Sequence, residues 1–137
     1  MHNTSQHGFL SGVEHTLYLY QSMPTQEKIM LFYLDLWAAQ FIVPVDSEDK
    51  RPFLIGDKDR QGMYIPVFSA EGEYRRERFD GAETAIFPYL TLRHVIACFP
   101  ELCGIAINPF GRQTILGREQ MGLIDLIAAG ADTNQLN

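Results

Sequence analysis

Cysteine is scarce in this chain: two residues in 137, Cys98 and Cys103. Two thiols cannot build the disulfide framework of a small secreted domain. They do not form a C-x-x-C motif, and their spacing is not of a metal-binding type. Cys98 falls in an apolar helical pattern and Cys103 opens an apolar strand, so both are expected as small core residues. Long apolar runs are absent too. The richest, Ile29 to Leu34, is interrupted by Asp35 and is far shorter than the roughly 18 residues that span a bilayer. The N-terminus shows no basic, apolar and small-residue leader pattern. These absences predict a cytoplasmic protein with free thiols and no membrane partner. Basic residues are few, 11 Lys and Arg against 17 Asp and Glu, for a net charge of −6. That balance works against nucleic-acid binding.

The catalytic templates are missing as well. The sequence has no G-x-S-x-G, no Walker A loop and no G-x-G-x-x-G. His2, His7 and His15 are irregularly spaced in the N-terminal segment, and His94 sits on the less apolar side of its helix. Neither 46–51 (DSEDKR) nor 57–62 (DKDRQG) has the register of a calcium loop. Arg75, Arg76 and Arg78 are interleaved with Glu73 and Glu77, so intrahelical pairing explains them as well as a nucleic-acid patch would. No catalytic residue, metal or cofactor is therefore assigned, and the chain is expected not to be an enzyme.

What is present is a well-patterned globular chain, 46% hydrophobic and 20% charged, of a length that suits one domain. Residues 1–8 are polar. Phe9, Val13, Leu17 and Tyr20 then recur at helical spacing, which predicts an amphipathic helix over 9–21. Its apolar face is a candidate interaction surface, for this domain, an unknown protein partner or a second copy in a homodimer. Thr25 is positioned to cap a second helix. Ile29, Phe32, Tyr33, Leu36 and Trp37 mark one face of it, and Met30, Leu31 and Leu34 lie off that face, so burial most of the way round is expected. Asp35 reads as a surface carboxylate.

Three short strands follow, at 41–45, 51–56 and 64–69, with turns that predict an antiparallel meander. Pro44 marks an edge or an end of the first, and Pro66 a bulge or an unpaired amide side in the third. Ser69 is placed to cap a short helix reaching Arg78. A fourth strand (84–88) leads to a helix capped by Thr91, with Leu92, Val95, Ile96 and Phe99 on one face and Pro100 stopping it. A fifth strand (104–108) ends in the turn Asn108-Pro109-Phe110-Gly111, and a short sixth lies at 114–116. A last helix runs from Arg118 to Ala129 with Gly130 just past its end. Strand and helix alternate from Tyr64 onward, which predicts parallel neighbours. The expected fold is α/β of the mixed α+β kind: one domain with a mixed five- to six-stranded sheet packed with helices, plus the N-terminal helix. The expected organisation is an N-terminal arm and helix (1–24), the domain (25–131) and a polar tail (132–137).

Ligands of wound sheets sit beyond the carboxyl ends of the strands. Here those ends carry Ser69 and Asn108, with Arg112 just after. If strands three and five are parallel, these three groups converge as a candidate ligand site. Each also has a structural role open to it: helix cap, Asx turn and solvated surface group.

The helix ending at Leu36-Trp37, the strand Phe41-Ile42-Val43-Pro44-Val45, the stretch Tyr64-Ile65-Pro66-Val67-Phe68-Ser69 and the segment Ile105-Ala106-Ile107-Asn108-Pro109-Phe110-Gly111 together resemble the SseB N-terminal domain family. The resemblance covers about residues 25–130. It implies a bacterial cytoplasmic α/β domain, and it carries no catalytic residue over. The first functional expectation is a non-enzymatic protein-interaction or adaptor module. The others are a secretion-chaperone-like protein, an immunity-type protein, or a small-ligand-binding domain that uses the carboxyl edge of its sheet.

Overall fold

The computed structural model describes the backbone of residues 3–57 and 60–136, and the side chains of 13–56 and 62–130. Four helices and six strands make a mixed α+β domain: α1 (Asn3–Ser22), α2 (Gln26–Trp37), β1 (Gln40–Asp46), β2 (Ile55–Asp57), β3 (Arg60–Val67), β4 (Ala82–Pro88), α3 (Tyr89–Cys98), β5 (Leu102–Ile107), β6 (Thr114–Gly117) and α4 (Arg118–Leu136).

The six strands do not form one sheet. One sheet is the antiparallel pair β1–β4; the other has the order β2-β3-β5-β6, with β3 and β5 parallel. The expected antiparallel meander is a full ladder only for β2–β3; β1 meets the 51–53 segment through the single antiparallel bridge Val45↔Pro52. β1 leaves it because its odd positions, Phe41, Val43 and Val45, face the main core while β4 zips along its whole length from Gln40↔Pro88 to Asp46↔Ala82. The two sheets touch where Ile42 and Phe68 exchange both backbone hydrogen bonds, at 2.9 Å each.

Both strand prolines sit where no ladder donor is missed. Ile42, Pro44 and Asp46 turn their backbone groups away from β4, and Phe53 N donates to the Pro44 carbonyl there. Pro66 falls between Tyr64, the last residue that β2 pairs, and Phe68, which pairs with β1. It thus occupies a stretch of edge without a neighbour, as its missing N–H requires.

The core joins α1, α2, α3 and α4 to the inner faces of both sheets, with Phe32, Leu36, Phe41, Ile65, Tyr89, Leu92, Ile105, Leu116 and Ile124 fully buried. Helix α1 is part of this core. It begins at Asn3, within the stretch expected to be a polar arm, because nothing in residues 3–8 breaks a helix except Gly8. Val13 and Leu17 are 4% and 5% exposed, and the Tyr20 ring lies 4.7 Å from that of Phe32. The face proposed as an interaction surface is thus occupied by the chain's own core; the side chain of Phe9 lies outside the described residues. Thr16 Oγ1 donates to Asp35 Oδ2 at 2.9 Å, so Asp35, though exposed, ties α1 to α2.

Thr25 does cap α2, through Lys28 N. The helix is less buried than its composition suggests. Met30, Leu31 and Leu34 are exposed, since α1, α4 and α3 pack against the other side of the helix. Thr91 lies inside α3, which starts two residues earlier behind Pro88. That proline fixes φ and needs no donor, which suits a helix entry. Phe99, just past the end of α3, is exposed rather than on the packed face, and so is Cys98. Gly130 does not end α4; the helix continues through it to Leu136, so the expected polar tail is helical over 132–136. Among the described residues, no helix is long and apolar enough to cross a membrane.

Candidate functional site

The carboxyl ends of β3 and β5 come together because the two strands are parallel and in register up to Val67↔Ile107. Asn108 N still donates to Val67 O at 2.9 Å. Beyond that, the side chain of Asn108 takes over the ladder. Its Oδ1 accepts from Ser69 N at 3.0 Å, and its Nδ2 donates to Ser69 Oγ at 3.0 Å. Asn108 is left-handed, φ 53°, a conformation that Asn tolerates better than most residues. This twist swings the chain out of the strand and aims the amide back at Ser69.

Ser69 therefore does not cap a helix. It is fully buried, and the expected helix to Arg78 is replaced by two single 3₁₀ turns, Glu71–Glu73 and Arg76–Arg78, neither with a side-chain cap. The segment is held instead by aromatic rings. Phe68, Tyr74, Phe79 and Phe110 cluster with centroids 5.2–6.1 Å apart, and the Arg78 guanidinium lies over the Phe110 ring at 4.4 Å. Arg75 donates to the carbonyls of Gly72 and Tyr74. Arg75 and Arg78 are thus used locally, and among the described residues neither forms an ion pair with Glu73 or Glu77.

Helix α1 roofs the strand ends. Ser69 Oγ donates to Glu14 Oε2 at 3.3 Å. Seven residues on, two turns along the same face, Gln21 Nε2 donates to Arg112 O and to Thr114 Oγ1, both at 2.8 Å. Arg112 Nη2 returns a 3.4 Å contact to Gln21 O. Between roof and strand ends lies a cleft of about 250 Å³. Ser69 and Asn108 form its floor. Glu14, Leu17, Tyr18 and Gln21 line the α1 side, and Glu73 and Arg112 the loop side. The three residues singled out from sequence, Ser69, Asn108 and Arg112, are brought together as proposed.

The charges are divided. Glu14 and Glu73 bring two carboxylates to the cleft. Glu73 reaches the 108–111 turn because residue 111 has no side chain; a Cβ there would stand 2.7 Å from Glu73 Oε1. Arg112 is exposed, and among the described residues no carboxylate lies within ion-pair distance of its guanidinium. The arrangement offers two anionic acceptors, one cationic fork donor and a rigid polar floor.

Sequence reasoning missed Glu14, Gln21 and Glu73. Glu14 and Gln21 adjoin Val13, Leu17 and Tyr20 on α1, so the polar margin of the apolar stripe was the available signal. Glu73 had none, since its place depends on Gly111, far away in the sequence. A second pair was also missed. His94 Nε2 and Cys98 Sγ, one turn apart on α3, are 3.6 Å from each other. Among the described residues, no group of three or more His, Cys, Asp or Glu side chains could hold a metal ion.

No protein-family model matches the chain, and no curated protein or solved structure shows significant similarity to it.

Proposed function

We propose that this is a non-catalytic, SseB-like cytoplasmic domain that binds a small amphoteric molecule in the cleft under α1. One observation carries the reading: Glu14, Glu73 and Arg112 surround a single cleft of about 250 Å³ over the carboxyl ends of two parallel strands. Open sheets with parallel strands bind ligands at this end. A ligand ammonium group meets Glu14 and Glu73. A ligand carboxylate or phosphate meets Arg112, whose planar fork suits both. Ser69 and Asn108 set the floor. The Ser69 hydroxyl is buried and already engaged with both Glu14 and Asn108, which supports a structural rather than a nucleophilic role. Two of the four stretches that resemble the SseB family, 64–69 and 105–111, build this floor.

A thermal-shift panel tests the reading, since a ligand that binds only the folded state raises the midpoint. Zwitterionic metabolites, diamines and dicarboxylates form its three arms. Zwitterions raise the midpoint, compounds with charges of one sign raise it less, and Arg112→Ala abolishes the zwitterion shift while its own midpoint stays near that of the parent. A panel with no zwitterion shift, or a shift kept in Arg112→Ala, refutes the proposal.

A second reading, a protein-interaction module, is favoured by α2 and α4. These neighbours leave Leu31, Leu34, Leu123 and Leu126 exposed, Leu126 by 70%. A photo-crosslinking residue at 126 then gives one discrete adduct in cells that Leu31→Lys with Leu34→Lys removes. A smear of adducts, unchanged by those substitutions, counts against it.

A further inference from the structure

We infer that His94 and Cys98 are half of a binding site for a zinc-type divalent cation, and that a second copy of this chain supplies the other half. This inference is independent of the cleft. The two side chains stand at i and i+4 on α3, the spacing that puts two metal ligands on one helix face. Their distance is that of a metal-ligand edge. Zn–S of about 2.3 Å and Zn–N of about 2.0–2.1 Å at the tetrahedral angle separate S and N by roughly 3.5–3.6 Å, and His94 Nε2 and Cys98 Sγ are 3.6 Å apart. Little movement is needed to take up the ion.

The surroundings suit a cation. Cys98 is the last residue of α3, where the helix dipole presents its negative end. Both side chains are exposed, so an ion reaches them from solvent.

Among the described residues the chain brings two ligands to this point, and a closed structural zinc site takes four. No group of three candidate ligands occurs among the described residues. A two-fold axis through the ion supplies the remaining two in the simplest way, because the same patch then serves both partners. The patch has apolar surface for such a contact. Leu90, one turn before His94, is 44% exposed and Phe99, next to Cys98, is 50% exposed. Two copies each of charge −6 repel one another, so the contact depends on the ion. On binding, each thiol loses its proton to solvent and each imidazole binds neutral. The ion, two thiolates and two imidazoles then sum to zero charge, and two protons are released per ion.

Untagged full-length protein, reduced with a phosphine and stripped with a chelator, is titrated with Co²⁺ as a spectroscopic probe and with Zn²⁺ in sedimentation velocity. Thiolate-to-cobalt charge transfer and tetrahedral ligand-field bands are expected, saturating at one ion per two chains. Zn²⁺ doubles the mass and chelator restores the monomer. Cys98→Ser loses the charge-transfer band and the dimer. His94→Ala loses the dimer, and Cys103→Ser keeps both. Circular dichroism confirms that the surface variants are folded. The inference is overturned by a charge-transfer band that persists in Cys98→Ser, by saturation at one ion per chain without change of mass, by a dimer that only reductant dissolves, or by no binding at all.

Discussion

Ser69→Ala probes the buried lock between β3 and β5 most sharply. The substitution leaves the backbone alone and removes one oxygen. It takes the acceptor from Asn108 Nδ2 and the donor from Glu14 Oε2. Glu14 is half-buried, so water replaces the second bond. The first has no such remedy, because Asn108 is 6% exposed. A buried donor left unpaired costs about 1–3 kcal/mol. For a chain of this length each kcal/mol lowers the melting midpoint by about 3–5 °C, so a fall of about 3–15 °C is expected. Asn108→Gly makes the complementary cut. It leaves Ser69 N without its acceptor, while glycine at the left-handed position recovers part of the loss, about 1 kcal/mol. The double variant is the decisive member. It no longer contains the stranded amide of the first variant, so its loss falls short of the sum by about 1–2 kcal/mol. Urea unfolding of the four proteins measures this directly. Losses that add to within about 0.5 kcal/mol, or a Ser69→Ala protein as stable as the parent, refute the lock.

Other substitutions test the frame around it. A Cβ on Gly104 would collide with the Leu116 carbonyl oxygen across the β5–β6 pair, and neither backbone can yield cheaply; Gly104→Ala should cost about 3 kcal/mol or more in urea unfolding. Gly122→Ala meets nothing within α4 and should stabilise by about 0.5–1 kcal/mol. Arg118 donates to the carbonyls of Ile96 and Phe99 at the end of α3 and to Leu102 O, at 2.6–3.0 Å; Arg118→Lys loses the fork and should cost about 1–2 kcal/mol, read by thermal unfolding. Tyr89 is fully buried with no partner for its hydroxyl among the described residues, so Tyr89→Phe should be neutral or stabilising by up to about 1 kcal/mol. Burial first, and nearby Asp125 second, hold the Tyr89 phenol above its ordinary value of 10. The folded state therefore keeps a proton that the unfolded state loses. The stability from this group is complete below pH 10 and is lost as pH rises above it, a decline that Tyr89→Phe should flatten.

Elements with strong local signals were legible in the sequence. Helix α2 with its Thr25 cap, the apolar faces of α1 and α3, and the strands around 41–45, 64–69 and 104–108 all follow from periodicity. Strand–helix alternation predicted parallel neighbours in general, and β3 and β5 are such a pair. What alternation could not give was the partner of β4. Its pattern is half exposed, without a strong inward face, and it pairs backwards onto β1 rather than joining the wound half. The site was legible in outline for the same reason as β3 and β5: strand ends are local, and polar residues there stand out against apolar runs. The role of Ser69 was not. A serine before Glu71 and Glu73 carries every local mark of a helix cap, but Asn108 competes for it across 39 residues, and the buried pairing wins over a 3₁₀ turn on the surface. Phe68, Tyr74, Phe79 and Phe110 likewise belong to one cluster only in space.

The proposed function requires that α1 and the two strand ends enclose a binding site for an amphoteric molecule. Backbone-amide NMR of the full chain, titrated with zwitterionic metabolites, tests it residue by residue. Saturable shifts are expected at Glu14, Gln21, Ser69, Glu73, Asn108 and Arg112 for at least one such compound, and their loss in Arg112→Ala. Shifts that map elsewhere on the fold, or none with any amphoteric compound, would contradict it.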